Sequence, residues 1–405
     1  MRVKHRTIFA PVAALALGLA AGGQAIAQQN RMGLTPDQMQ DLNRTIVKTE
    51  AIEDAWETAG FKGLTISGYM DPTYIYNQNA DRAGFQFLST QGDGDAWDYS
   101  DTYYFGTASI SFEKEADDGT QYVLKLQPQS SNSLNLAEAK VSIPLSNRQT
   151  RLIAGQVLDW SGYEYADPVQ TSLITHNLLF DFTLPVSYTG AGFDISTGSW
   201  QFRTMLANVN SATAPADEKS PSWVYRFDYW PEEFWGVGFA GLVGKTVNYN
   251  DPDEALSNTI LFEVDGYYAR GDWSLGGQIS YGTQEEAAVN GKDAQWVGAS
   301  ATVAYNITPR LLFALRADYI QNEENGGGLF GYQADTSNGI GDADGDDKGA
   351  NRYATSLGLK YLLNEKTSLK LEYRLDGASE DVFEDVDGKA KDSNNVFGAA
   401  IVVSF

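Results

Sequence analysis

The sequence predicts an all-β protein, a transmembrane antiparallel β-barrel of about sixteen strands with a short N-terminal periplasmic helix. Three observations predict it. The chain ends on an apolar strand, Asn394 to Phe405, in which Phe397, Ala399, Ile401, Val403 and Phe405 recur with period 2 and form one wholly apolar face. It opens on a secretory leader. In between, alternating segments are joined by connections that are short and long in turn, the pattern of barrels with periplasmic turns and extracellular loops.

The leader occupies residues 1–27. Arg2, Lys4, His5 and Arg6 form its basic region, Thr7 to Ala21 its apolar region, and Ala25-Ile26-Ala27 a small-residue cleavage site. No later stretch reaches the roughly 18 consecutive apolar residues that a membrane helix needs. Residues 28–61 read as a periplasmic helical segment. Thr35-Pro36-Asp37-Gln38 is a capping box with proline at the first helical position, and Met39, Leu42, Ile46, Ile52, Ala55 and Trp56 follow at roughly helical spacing until Gly60. A tether, a plug and a short coiled coil are the roles open to it, the tether first among them.

From residue 62 to residue 405 the period is 2. The first eight strands are expected at Leu64 to Tyr76, Tyr103 to Glu113, Gln121 to Gln127, Leu134 to Ile143, Thr150 to Leu158, Leu179 to Ser196, Trp200 to Asn208 and Ser222 to Trp230. The second eight are expected at Val237 to Val247, Thr259 to Ala269, Trp273 to Gly282, Gln295 to Asn306, Leu311 to Ile320, Arg352 to Leu362, Thr367 to Leu375 and Val396 to Phe405. Pro185 and Gly190 interrupt the sixth, which could hide a bend or a loop boundary. The short connections include Ser146 to Gln149, Thr197 to Ser199, Arg270 to Asp272 and Asn364 to Lys366; the long ones include Asn77 to Thr102, Asp159 to Asn177, Asn322 to Asn351 and Gly377 to Asn395. With an even strand number both barrel ends fall on the periplasmic side, and Trp200, Trp230, Trp235 and Trp273 beside the short turns suit an aromatic girdle there.

Composition narrows the function. There is no cysteine, so neither disulfides nor thiolate chemistry is available. Without the leader the chain carries 26 basic and 53 acidic residues, a net of about −27. Such a charge argues against nucleic acid as a partner, and against anionic lipid heads unless divalent cations intervene.

Alternation also sorts the interior. In Thr367 to Leu375, Leu369, Leu371 and Tyr373 share one face while Lys370, Glu372 and Arg374 share the other, so the charged set is expected to point into the barrel. By the same reading Asp71, Lys125, Glu138, Lys140, Arg203, Arg226, Asp228, Glu263, Asp265, Arg316, Asp318, Arg352 and Lys360 face inward. Nine basic and seven acidic positions make a mixed-charge lumen, in which opposed clusters would favour small polar or charged solutes. The plain alternative is that these charges pair off and fill the barrel.

Two loops are dense in hard oxygen ligands: Asp342, Asp344, Asp346 and Asp347 in one, Asp93, Asp95, Asp98 and Asp101 in the other. The EF-hand pattern fails, because Asp347 stands where its glycine belongs and no correctly spaced glutamate follows, so no metal site is expected. Weak surface binding of divalent ions that bridge to lipopolysaccharide is open to such loops. The one histidine after the leader is His176, which a Ser/His or Asp/His hydrolase would need as its base. A lone histidine near a strand end is usually structural, so no enzyme and no cofactor are expected.

The strand L-T-I-S-G-Y-M-D-P-T-Y-I-Y-N at Leu64 to Asn77, the S-L-N-L-A-E-A-K segment at Ser133 to Lys140 and L-L-F-D-F-T-L-P-V-S-Y-T-G-A-G-F at Leu178 to Phe193 resemble the β-barrel porins of the OmpL-like group. The resemblance implies a channel in the cell outer membrane with no catalytic residues. The functional expectation is a passive diffusion channel for small hydrophilic solutes. The alternative is a non-conducting surface barrel whose acidic loops bind cations, lipopolysaccharide or other cells, and a transporter plugged by the helix comes third. Partners would be outer-membrane lipids and lipopolysaccharide, the solutes, and the barrel assembly machinery, which could read Phe405 as its signal. A homotrimer is open to such a barrel.

Overall fold

The computed structural model describes residues 36–88, 105–130, 133–210, 221–248, 256–288, 291–322 and 349–405. Residues 1–27, expected to be a leader, and both aspartate-rich loop clusters lie outside the described residues.

Helix α1 spans Pro36–Thr58. Its C-terminal end is written in the sequence. Gly60 adopts φ +79°, its N–H donates to the Glu57 carbonyl at 2.9 Å and the Phe61 N–H to the Trp56 carbonyl at 3.0 Å, the two bonds of a Schellman cap. Trp56 completes the stop by packing on Phe61, ring centroids 5.1 Å apart.

Twenty strands follow among the described residues. They are β1 (Leu64–Met70), β2 (Thr73–Asn77), β3 (Arg82–Gln86), β4 (Ala108–Glu115), β5 (Gln121–Ser130), β6 (Ser133–Asn147) and β7 (Thr150–Leu158). Helix α2 (Leu178–Phe182) intervenes, and then come β8 (Ser187–Thr197), β9 (Trp200–Val209), β10 (Ser222–Glu232), β11 (Trp235–Val247), β12 (Leu256–Arg270) and β13 (Trp273–Gln284). The last are β14 (Ala294–Thr308), β15 (Leu311–Gln321), β16 (Arg352–Asn364), β17 (Thr367–Ala378), the two-residue pair β18 (Phe383–Glu384) and β19 (Ala390–Lys391), and β20 (Ser393–Ser404). All but β18 and β19 belong to one sheet, a closed antiparallel barrel of sixteen strand positions.

The strand β20 closes it. Its inner edge runs beside β17, and its outer edge pairs Ala400 with Thr73 on β2 and Ser404 with Tyr69 on β1, in one register across the Asp71-Pro72 interruption. Pro72 has no N–H to give the ladder, yet its carbonyl still accepts from Ile401 at 3.2 Å. Phe397, Ile401, Val403 and Phe405 point outward and are exposed, while Val396, Ala400 and Val402 are buried inside. The period-2 face of the terminal strand is therefore an outward face.

The short connections are as tight as expected. Six hairpins turn on two residues each, at 148–149, 198–199, 233–234, 271–272, 309–310 and 365–366. Gly198 and Gly271 supply φ of +55° and +63° there, which a side chain would resist. At this end Trp200 stacks on Tyr229 with centroids 3.9 Å apart, Trp235 meets Tyr229 edge-on at 6.2 Å, and Trp273 leans on Tyr305 at 4.7 Å.

Two elements differ from the sequence expectation. The first long connection is not Asn77 to Thr102: β2 turns back through residues 78–81 into β3, and the segment leaving β3 returns at β4, so β3 and β4 share the second barrel position. Leu88 N–H to the Gly106 carbonyl, 2.7 Å, closes the neck of this insertion. The sixth strand starts at Ser187, not Leu179, because Asn177 caps a helical turn by accepting from the Phe180 N–H at 2.8 Å and Thr183 ends it on the Leu179 carbonyl. An apolar run broken only by Asp181 imitated a strand.

Candidate functional site

Residues 159–186, between β7 and β8, fold into the barrel. Their apolar residues account for that direction: Leu178, Leu179, Phe182 and Leu184 join Ile153, Val157, Met205, Val224, Leu242, Leu261, Trp296 and Ile320 of the wall in one buried core. Each such side chain withdrawn from water contributes about 1.5–3 kcal/mol. Leu173 and Ile174 enter two neighbouring clusters, the second shared with Phe105, Val382 and Phe383.

An irregular backbone buried this way needs partners for its N–H and C=O groups, and charged wall residues supply them. Glu372 accepts from the Thr175 N–H at 2.9 Å and also from the Ile174 N–H. Arg316 donates to the carbonyls of Thr175 and His176 at 2.7 and 2.6 Å, and Arg374 to that of His176 at 2.7 Å. Lys370 donates to Pro168 and Leu173 carbonyls at 2.7 and 2.8 Å; Lys360 reaches those of Val169 and Thr171. Glu263 accepts from the Gly162 N–H.

This arrangement divides the sixteen charged positions read from alternation. Asp71, Lys125, Arg226, Glu263, Asp265, Arg316, Asp318, Arg352, Lys370, Glu372 and Arg374 are buried. Asp71 accepts from the Thr107 N–H at the break between β1 and β2. Arg226 pairs with Asp228 at 2.8 Å and Asp265 at 2.7 Å, Arg316 with Asp318 at 3.1 Å, and Lys125 with Asp167 of the inner segment. Arg352 pairs with Asp376 at 3.2 Å and lies between the rings of Phe182 and Phe383, 5.4 and 4.6 Å from their centroids. Glu138, Lys140, Arg203, Asp228 and Lys360 are only half-buried. Among them Lys140 pairs with Glu138 at 2.7 Å and Arg203 with Asp228 at 3.2 Å.

The strand reading missed several partners. Asp376 continues the inward series Lys370, Glu372, Arg374, and one further step of alternation would have found it. Glu164, Asp167 and Asp181 come from the inner segment, where no periodicity marks them. Trp160 also belongs here: Arg203 lies over its ring at 5.4 Å and Tyr188 leans on it at 5.2 Å.

His176 is buried. Its Nε2 lies 2.9 Å from the Tyr165 carbonyl and its ring stacks on Phe180 at 4.2 Å, while burial drives its pKa down to about 3. A neutral, stacked imidazole anchored to a backbone carbonyl serves structure, and it holds the inner segment in shape.

Solved structures share this fold. The anion-selective porin from Comamonas acidovorans is 11% identical with a TM-score of 0.58, over 84% of this chain and 99% of that one. The trimer form of in-vitro folded OmpT, an outer membrane protein of Vibrio cholerae, gives 11% and 0.57, over 84% and 99%. Salmonella typhi OmpF, in complex with daunomycin, gives 13% and 0.54, over 84% and 97%. Identities this low speak for the fold alone. No curated protein matches the chain in sequence. The family described as "Putative beta-barrel porin-2, OmpL-like" matches residues 63–405, the whole of the barrel. The chain belongs to this porin family, and its place is the cell outer membrane.

Proposed function

We propose that the protein is a passive diffusion channel for small hydrophilic solutes, with no chemical step. Solutes cross past Glu138 and Lys140 on β6 and Arg203 and Asp228 on β9 and β10. The observation that carries this reading is the half-buried state of Lys140 with Glu138 and of Arg203 with Asp228, in contrast to the eleven buried inward charges. Paired charges of both signs at a water-accessible wall favour polar solutes over apolar ones. Planar-bilayer recording on refolded protein tests it, and absence of conductance in every salt would sink it. A homotrimer is part of the proposal, since one fold neighbour is described as a trimer; native mass measurements that find monomers alone would remove that part.

One observation favours a second reading. Eleven of the sixteen inward charges are buried, and the apolar core under residues 159–186 reaches from β7 to β16. A barrel filled this far could be a non-conducting surface protein. Liposome swelling separates the two, because only the channel admits sugars or amino acids.

A further inference from the structure

Four of the inward glycines of the wall mark a close approach of the inner segment, since a glycine inside a strand otherwise only weakens it. Each one receives a side chain of the inner segment. A Cβ on Gly276 of β13 would lie 2.6 Å from the Tyr163 ring, and one on Gly298 of β14 would lie 3.0 Å from Leu179. A Cβ on Gly358 of β16 would lie 2.3 Å from Leu173, and one on Gly398 of β20 would lie 2.9 Å from Ile174. The sockets therefore sit on four different strands and take residues from both arms of the segment, before and after its tip. By contrast, Gly277 faces outward opposite Ala301, and a Cβ there would come no closer than 3.4 Å to anything, the Ser300 carbonyl.

We infer that Gly276, Gly298, Gly358 and Gly398 set the size limit of the channel by seating residues 159–186 against the wall. This rests on the proposed channel function. Hydrogen bonds from Arg316, Arg374 and Lys370 hold the backbone of the same segment whose side chains fill these sockets. Filling a socket lifts the segment off the wall, and the covered charges beneath it meet water.

The test places valine in two sockets separately, Gly298→Val and Gly358→Val, with Gly277→Val as the outward control. Valine suits a strand, so the wall itself gains β-propensity. The expected result is a roughly twofold or larger fall in single-channel conductance, with larger sugars excluded in liposome swelling, because a segment lifted off β14 and β16 moves toward the half-buried charges of β6, β9 and β10, where solutes cross. The control keeps the conductance and cut-off of the parent protein. Unchanged conductance and cut-off in both socket variants, each folded by heat-modifiable gel mobility, would overturn the inference. Should they fail to fold, Leu173→Ala and Leu179→Ala empty the sockets instead, and unchanged conductance and cut-off in both would overturn the inference.

A second readout does not depend on conduction. Ser356 is buried beneath the segment beside Arg316, and the chain has no cysteine of its own. Ser356→Cys alone should resist a membrane-impermeant thiol reagent, and Ser356→Cys with Gly358→Val should react. Equal protection in both would overturn the docking role. A protein that conducts nothing in any form, but shows this difference in labelling, would defeat the channel reading and leave the seating intact.

Discussion

The Arg374 guanidinium, buried on β17, donates to the backbone carbonyl of His176 at 2.7 Å. It also holds Asp376 through Nε at 2.9 Å and Nη2 at 2.8 Å, with Asp181 of the inner segment 3.8 Å away. One side chain thus ties the wall, its own strand and the inner segment together.

Arg374→Ala leaves two buried carboxylates and a carbonyl short of a donor. The expected loss is about 3–5 kcal/mol of stability, the range for breaking a buried ion pair by removing one partner. Arg374→Lys is expected to restore only part of it, because an ammonium cannot make the two parallel bonds to Asp376. Urea midpoints in detergent micelles, read by tryptophan fluorescence, check both.

His176 makes stability depend on pH. Its folded pKa near 3 lies below the usual 6.5, so the unfolded chain binds the proton more readily in between. The contribution is complete above about pH 6.5 and is lost as pH falls toward 3, at up to about 1.4 kcal/mol per unit. His176→Gln removes the titration, so the difference in stability between wild type and variant should slope across that window. A flat difference from pH 7 to pH 3 would contradict the buried neutral imidazole.

Phe405 closes the barrel through its backbone, donating to the Gly68 carbonyl at 3.0 Å and accepting from the Gly68 N–H at 3.3 Å, while its ring lies where a Cβ on Gly68 would be. Deleting Phe405 should lower the assembled fraction in the outer membrane without altering selectivity of the channels that form. Gly68→Val should also lower assembly, because its Cβ would meet both the Ser109 carbonyl at 2.3 Å and the Phe405 ring at 2.6 Å. Heat-modifiable mobility and reversal potentials measure the two effects, and full assembly of the deletion would remove Phe405 as an assembly signal.

Lys140 should carry ion preference. Lys140→Glu turns a balanced, half-buried pair into two carboxylates and is expected to shift permeability several-fold toward cations. Lys389→Glu makes the same charge change at an exposed loop position and should shift it far less. Reversal potentials in a salt gradient decide, and equal shifts would place the selective region elsewhere.

The helix Pro36–Thr58 is proposed as a tether. Removing residues 35–59 should then leave single-channel conductance unchanged. A rise would make it a plug.

The stretches that were legible in the sequence share one property: their pattern is local. Alternation in Thr367 to Leu375 agrees with burial, Lys370, Glu372 and Arg374 being buried and Leu371 and Tyr373 exposed, and Gly60 marked the end of its helix. The run Leu178-Leu179-Phe180-Asp181-Phe182 was misread because a short, mostly apolar stretch suits both a buried strand and a buried helical turn. The insertion in the second barrel position was hidden for a related reason. Arg82–Gln86 is too short to display a period, and only its pairing with β2 identifies it.

By itself the sequence determined that this is an exported barrel of sixteen strand positions, which side chains turn inward, and where the last strand ends, because each of these follows from neighbours within a few residues. Tertiary structure alone decided which of the inward charges meet water. Glu372 meets Thr175 and Lys370 meets Pro168 across about two hundred residues of chain. No local period encodes such contacts; they exist because a buried backbone must find hydrogen-bond partners wherever the closed wall provides them.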